Sequence, residues 1–190
     1  ANNLTKTYGD PTVTLTGVIS GVQIADNITF TFSSPGNVPT APVGTYTIAI
    51  TLSDPLGRLG NYTYVPTPGT LTVNPHDLIV DPASQTKDYG TWFLAFSGSI
   101  TGIQNLENIT ANYASAGTPP SAPVGSYPIT FTLNDPTGKL GNYNLISDPP
   151  PAAFLTVGAS ILTATADNKS IVYGDADPLF TITYTGFAAG

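Results

Sequence analysis

Short runs along this chain alternate apolar and polar residues with a period of two, the pattern of a half-buried β-strand. The alternation is clearest at residues 12–16, 28–32, 46–52, 127–133 and 180–184. In the first part of the chain the expected inward side is Val13, Leu15, Ile28, Phe30, Phe32, Tyr46, Ile48, Ile50 and Leu52. Later it is Ile109, Tyr127, Ile129, Phe131 and Leu133. No stretch sustains a helical period, and Gly and Pro interrupt the runs every few residues. Six or seven short strands in about 80 residues, bounded by such turns, predict an all-β immunoglobulin-like sandwich. A β-grasp module is the alternative, but it needs a helix that the pattern does not supply.

The alternation repeats. Tyr8-Gly9-Asp10 recurs 81 residues on as Tyr89-Gly90-Thr91, and after a further 84 as Tyr173-Gly174-Asp175. The offset of 81 also aligns Ala41-Pro42-Val43-Gly44 with Ala122-Pro123-Val124-Gly125. Further on it aligns Gly60-Asn61-Tyr62 with Gly141-Asn142-Tyr143. Leu71-Thr72-Val73 closes one copy and Leu155-Thr156-Val157 the next, after three extra residues in the loop at Asp148-Pro149-Pro150-Pro151. Self-similarity at a fixed interval signals a repeat architecture. The expected modules are residues 1–74, 75–158 and 159–190. Repeat 1 lacks a first strand, and repeat 3 has about two. The chain therefore reads as a window on a longer array, or as a unit that assembles head to tail by completing its neighbour. Short linkers containing Pro, such as Asn74-Pro75-His76, suit a semi-rigid array.

The succession Tyr-Gly-Asp, Pro-Val-Gly-x-Tyr, Gly-Asn-Tyr and Leu-Thr-Val resembles the MBG-type (YGX-type) repeats of large bacterial secreted and cell-surface proteins, often called adhesins. The resemblance implies an extracellular structural module and no particular ligand. Repeat 2 departs from it at Thr91-Trp92, where repeat 1 has Asp10-Pro11.

Composition narrows the partners. The formal net charge is -7, with five basic residues. That disfavours nucleic acid, whose phosphates need clustered Lys and Arg, and anionic membrane surfaces. Charged residues are 9% of the chain, against about 25% in ordinary domains. Sheet edges are usually guarded by charge, so these strands invite pairing with neighbouring repeats of the same or identical chains, head to tail or laterally in a fibre. Cys and Met are absent, which excludes disulfides and suits an oxidising exterior. No apolar run approaches the roughly 20 residues of a membrane span.

Candidate chemistry is sparse. The single His, His76, lies in a linker, and there is no thiol, so catalysis is not expected. The Tyr-Gly corners (Tyr8, Gly9; Tyr89, Gly90; Tyr173, Gly174) and the loops at Gly60, Asn61 and Gly141, Asn142 read as structural turns, with Gly supplying a positive φ. Ligand-binding candidates are Trp92, Tyr62 and Tyr143. Trp92 is either exposed, stacking on a surface glycan or a neighbouring domain, or half-buried beside Phe93 and Phe96. Tyr62 and Tyr143 border loops at a sandwich end. No cofactor is expected except calcium, for which Asp175 and Asp177 form the only Asp-x-Asp pair. Asn-x-Ser/Thr at Asn3, Asn27, Asn61, Asn108 and Asn168 marks surface turns open to glycosylation.

Overall fold

Thirteen strands carry the described residues, 1–147 and 153–188, in a computed structural model of the chain. Repeat 1 contributes β1 (Leu4–Thr7), β2 (Thr29–Ser33), β3 (Gly44–Ser53) and β4 (Gly69–Asn74). Repeat 2 contributes β5 (His76–Pro82), β6 (Gln85–Asp88), β7 (Gly98–Thr101), β8 (Thr110–Ser115), β9 (Gly125–Asn134), β10 (Tyr143–Ser147) and β11 (Phe154–Gly158). Repeat 3 contributes β12 (Thr163–Ala166) and β13 (Ile182–Thr185). The fold is all-β. Among the described residues there is no α-helix, only 3-10 turns at Ile24–Asp26, Leu59–Asn61 and Leu140–Asn142. The Asp148-Pro149-Pro150-Pro151 loop lies outside the described residues.

Each of the two long repeats builds the same four-stranded mixed sheet, in the orders β1-β4-β3-β2 and β6-β11-β9-β8. Its short first strand runs parallel to its last, with Leu4 opposite Leu71 and Gln85 opposite Leu155. The long central strands β3 and β9 have identical burial alternation, and each places one residue, Ile48 or Ile129, at the centre of the core. Repeat 2 adds a three-stranded sheet, β10-β5-β7, and repeat 3 has the pair β12-β13. Leu78 and Val80 are the inward residues of β5, with 0% and 1% exposed.

The chain packs as two compact units. One is Ala1–Ile79 with Ile100–Thr110 and Asn134–Ile146. The other is Val80–Ser99 with Ala111–Leu133 and Ser147–Gly190. The first unit joins all of repeat 1 to one end of repeat 2. Its fully buried side chains include Tyr8, Ile48, Leu71, Val73 and Leu78. In the second, Phe93, Phe96 and Tyr113 pack on Ile129, Ala153 and Leu155.

One expected strand is not formed. Residues 12–16 follow Pro11 and make no ladder. The Asn37 side chain instead takes both backbone groups of Val13, accepting from its N–H (2.8 Å) and donating to its carbonyl (2.9 Å). A side-chain amide that satisfies both groups removes the demand for a neighbouring strand.

Candidate functional site

The most elaborate polar cluster sits where repeat 1 meets repeat 2, inside the first unit. Tyr8 follows β1, and its N–H is tied to the Asn74 carbonyl at the end of β4 (2.8 Å). This fixes the ring at the end of the sheet. Gly9 turns the chain with φ 88°, a left-handed conformation that costs a residue with a Cβ. Its N–H donates to the Pro39 carbonyl (3.1 Å). The result is a Tyr-Gly corner whose ring points away from its own repeat.

Repeat 2 receives that ring. The Tyr8 ring stands edge-to-face on Tyr143, with centroids 5.6 Å apart and planes at 81°, a favoured aromatic geometry. The Tyr8 and Tyr143 hydroxyls donate to different oxygens of one carboxylate, Glu107, the latter at 2.6 Å. The Gln104 N–H donates to the Tyr143 hydroxyl (2.8 Å). Around this centre, the Val43 N–H donates to Asn142 Oδ1 (3.0 Å), and Asn105 Nδ2 donates to the Pro39 carbonyl (3.4 Å). Tyr8 is 1% exposed and Tyr143 9%. Burial, and then the hydrogen bond to anionic Glu107, push both phenols above their ordinary value. Both causes oppose phenolate formation.

His76 borders the cluster. Gln104 Nε2 lies 3.1 Å from His76 Nε2, and His76 Nδ1 lies 3.0 Å from the Asp77 carbonyl. The network assigns the proton to Nδ1, because Gln104 donates and the carbonyl accepts. The imidazole thus orients a junction side chain.

A family model for the MBG domain of YGX type matches residues 1–72 and 162–190, more than half of the chain. The chain belongs to the MBG family. No curated protein and no solved structure matches it. The Tyr-Gly corner occurs three times in the chain, twice within the matched residues and once outside them at Tyr89-Gly90, in three environments. Tyr8 is buried, Tyr89 is 36% exposed and Tyr173 is fully exposed. Gly90 and Gly174 keep the positive φ, at 88° and 95°. Gly90 abuts Ala188, and Gly9 abuts the Gln104 side chain. Ala188 lies 84 residues beyond Gln104, the offset between repeats 2 and 3. The same element of the following repeat thus meets the glycine at both junctions.

Repeat 1 carries its own copy of the receiving half. The Tyr62 hydroxyl donates to Asp26 (2.5 Å), and the Gln23 N–H donates to that hydroxyl (3.0 Å). Gln23, Asp26, Asn61 and Tyr62 lie 81 residues before Gln104, Glu107, Asn142 and Tyr143. The receiving loop differs in backbone. In repeat 1 it is a 3-10 turn. In repeat 2 Asn105 and Leu106 are left-handed, with φ 52° and 56°.

Two lysines and the glycines of the Gly-Asn-Tyr loops have structural settings. Lys6 and Lys87 are buried and cap backbone carbonyls around the corner. Lys6 reaches those of Asp10 and Val38. Lys87 reaches those of Thr91, Thr118 and Pro119. Burial lowers the Lys6 amine below its ordinary value, and Asp10 partly offsets this. Gly60 and Gly141 lie in the 3-10 turns beside Asp54 and Asp135, which accept the Leu59 and Leu140 N–H groups (2.7 Å each).

Trp92 is 63% exposed, while Phe93 and Phe96 pack inward, 4.9 Å apart. Asp175 and Asp177 are exposed. Among the described residues no three acidic or His side chains gather as a metal site. The alternation did not single out Glu107 or the two lysines. The offset could have found them, since it aligns Glu107 with Asp26 and Lys87 with Lys6.

Proposed function

We propose that this chain is a structural segment of an extracellular fibre, stalk or adhesin, in which MBG repeats are joined by stiff, hydrogen-bonded junctions and carry no catalysis. One observation supports this above all. Two tyrosines from successive repeats share the Glu107 carboxylate, and one of them is 1% exposed. Flexible linkers do not bury a side chain of one repeat in the next. MBG domains typically belong to extracellular proteins, and the absence of Cys and Met accords with that setting. Among the described residues no helix is long and apolar enough to cross a membrane. The one imidazole is engaged by Gln104 and a backbone carbonyl, which leaves it poorly placed as a base.

Backbone 15N relaxation tests the reading. Repeat 1 and the receiving end of repeat 2, residues 100–110 and 134–146, are expected to tumble with one correlation time in the wild type and to separate in Glu107→Ala. Independent tumbling in the wild type would end the proposal.

A second reading rests on Trp92. An indole 63% exposed is a stacking platform for a glycan ring, which would make the segment an adhesive module. Trp92 is the only Trp, so quenching or blue-shift of its fluorescence across a glycan panel reads this directly. No response on the panel leaves the spacer reading alone.

A further inference from the structure

Beside the Tyr-Gly corner of repeat 1 lies a peptide bond with chemistry that the junction does not use, the one between Asp10 and Pro11. Lys6 is buried, and its ammonium donates to the Asp10 backbone carbonyl at 3.0 Å and to that of Val38 at 2.7 Å. The Asp10 carbonyl is the acyl half of an Asp–Pro bond. In such a bond the Asp carboxylate can close a five-membered ring on its own carbonyl carbon, an attack favoured by the proximity of the reacting groups. The Pro nitrogen belongs to a tertiary amide, is protonated more readily than that of an ordinary peptide, and departs as a secondary amine.

Asp10 is prepared for this attack in a way that the other Asp–Pro bonds are not. Its Oδ2 accepts the Thr7 N–H at 2.9 Å, which steadies the carboxylate, while Oδ1 has no hydrogen-bond partner among the described residues. At Asp54–Pro55 and Asp135–Pro136 both carboxylate oxygens are occupied by loop N–H groups. Among the described residues no other Asp–Pro carbonyl accepts from a lysine ammonium. Repeat 2 has the lysine without the bond. Lys87 Nζ reaches the Thr91 carbonyl at 2.9 Å, but residue 91 offers no carboxylate and Trp92 follows it. Pro11 is exposed and lies outside any strand, so a released Pro11 amine can draw away from the acyl group.

We infer that repeat 1 cleaves its own backbone at Asp10–Pro11, with the Asp10 carboxylate as nucleophile and the Lys6 ammonium as electrophile and acid. Oδ1 bonds to the Asp10 carbonyl carbon, and Lys6 stabilises the charge that develops on the carbonyl oxygen. The carbon–nitrogen bond to Pro11 then breaks, and the nitrogen takes a proton from Lys6. Burial lowers the Lys6 amine below its ordinary value, which makes its ammonium a readier acid. Asp10 is left as a cyclic anhydride. One water opens it to two carboxyl groups, and Lys6 regains its proton. The reaction acts once on the chain itself, so it goes beyond the structural reading of the array and leaves that reading standing. Pairing of Leu4–Thr7 with Leu71–Asn74 holds the severed strand in its sheet, and the cut is read after denaturation.

The test incubates the full folded chain in mildly acidic buffer, then denatures it and maps the fragments by mass, with a parallel incubation in urea. The internal reference is Asp177–Pro178, where the Asp is exposed. The fragment beginning at Pro11 is expected to accumulate at least about tenfold faster than the one beginning at Pro178, a modest share of what one oxyanion donor contributes. In urea the preference should vanish. Asp10→Ala should abolish the cut at Pro11, and Lys6→Met should slow it to the rate at Pro178. Circular dichroism reports whether Lys6→Met is folded. If it is not, the folded and urea incubations of the wild type decide alone. Equal rates at Pro11 and Pro178 in the folded wild type overturn the inference. A preference that persists in urea, or in folded Lys6→Met, overturns it equally.

Discussion

Replacing Tyr8 by Phe removes one oxygen from the junction and leaves the aromatic packing in place. The ring keeps its edge-to-face contact with Tyr143, 5.6 Å between centroids. Glu107 retains Tyr143 as a donor at 2.6 Å, so the carboxylate is not left bare. The loss is therefore close to that of one hydrogen bond to a charged group, about 1.5–3 kcal/mol. That is one to two orders of magnitude in the folded-to-unfolded ratio, at about 1.4 kcal/mol per factor of ten. The chain supplies its own control. Tyr89 occupies the same motif in repeat 2, yet it is 36% exposed, and among the described residues its hydroxyl has no partner. Tyr89→Phe should fall within about 0.5 kcal/mol of wild type, as ordinary surface substitutions do. Urea titration followed by amide exchange along β3 measures the first, and exchange along β9 the second. Equal costs for the two substitutions would refute the reasoning, because the motif would then act within its own repeat and not through its neighbour.

Other outcomes follow from the same contacts. Tyr8 and Tyr143 have folded-state values above the ordinary 10.0. Their contribution is intact below about pH 10 and is lost as pH rises through the folded values, since the unfolded phenols release protons first. Phenolate absorbance and stability measured together should show this, with ionisation beginning at lower pH in Glu107→Gln. Lys87→Met removes the ammonium that three carbonyls share at 2.5–3.1 Å; those of Thr118 and Pro119 keep the Phe93 and Ala122 N–H groups, and that of Thr91 loses its donor. It should cost about 1–3 kcal/mol in thermal or urea unfolding, the range for one unsatisfied buried group. Asp54 and Asp135 are held below the ordinary 3.8, chiefly by the N–H groups of Leu59 and Leu140. Their hold on the loops is complete above that pH and is lost as pH falls through the lowered values. The amide shifts of Leu59 and Leu140 should therefore move together in acid.

Periodicity carried the strands because a two-residue alternation has one economical interpretation when half of each strand is buried. Residues 46–52 and 127–133 alternate cleanly, and both fall within ten-residue strands, β3 and β9. Residues 12–16 alternate equally well and form none. The competitor was Asn37, 24 residues away, and alternation within a short window says nothing of such a partner. Spacing made the Tyr-Gly corner visible as a motif. It could not reveal that the corner's ring is buried at the first junction and 36% exposed at Tyr89, because that depends on what the next repeat supplies. The lysines were obscured by a general expectation. Charged side chains are rarely buried, yet Lys6 and Lys87 are, since carbonyls surround each ammonium.

The junction divides its parts unevenly between two copies of one sequence pattern. The corner comes from the end of the first sheet, and the carboxylate, phenol and amide come from the repeat that follows. Repeat 1 bears both sets, Tyr8-Gly9 on one side and Asp26, Asn61 and Tyr62 on the other. A tandem duplication of some 81 codons would thus hand each newborn copy a ready-made coupling for both neighbours. Such a gene can grow or shrink by whole units without inventing a contact, and drift at one carboxylate, Asp here and Glu there, would retune a single link while sparing the others.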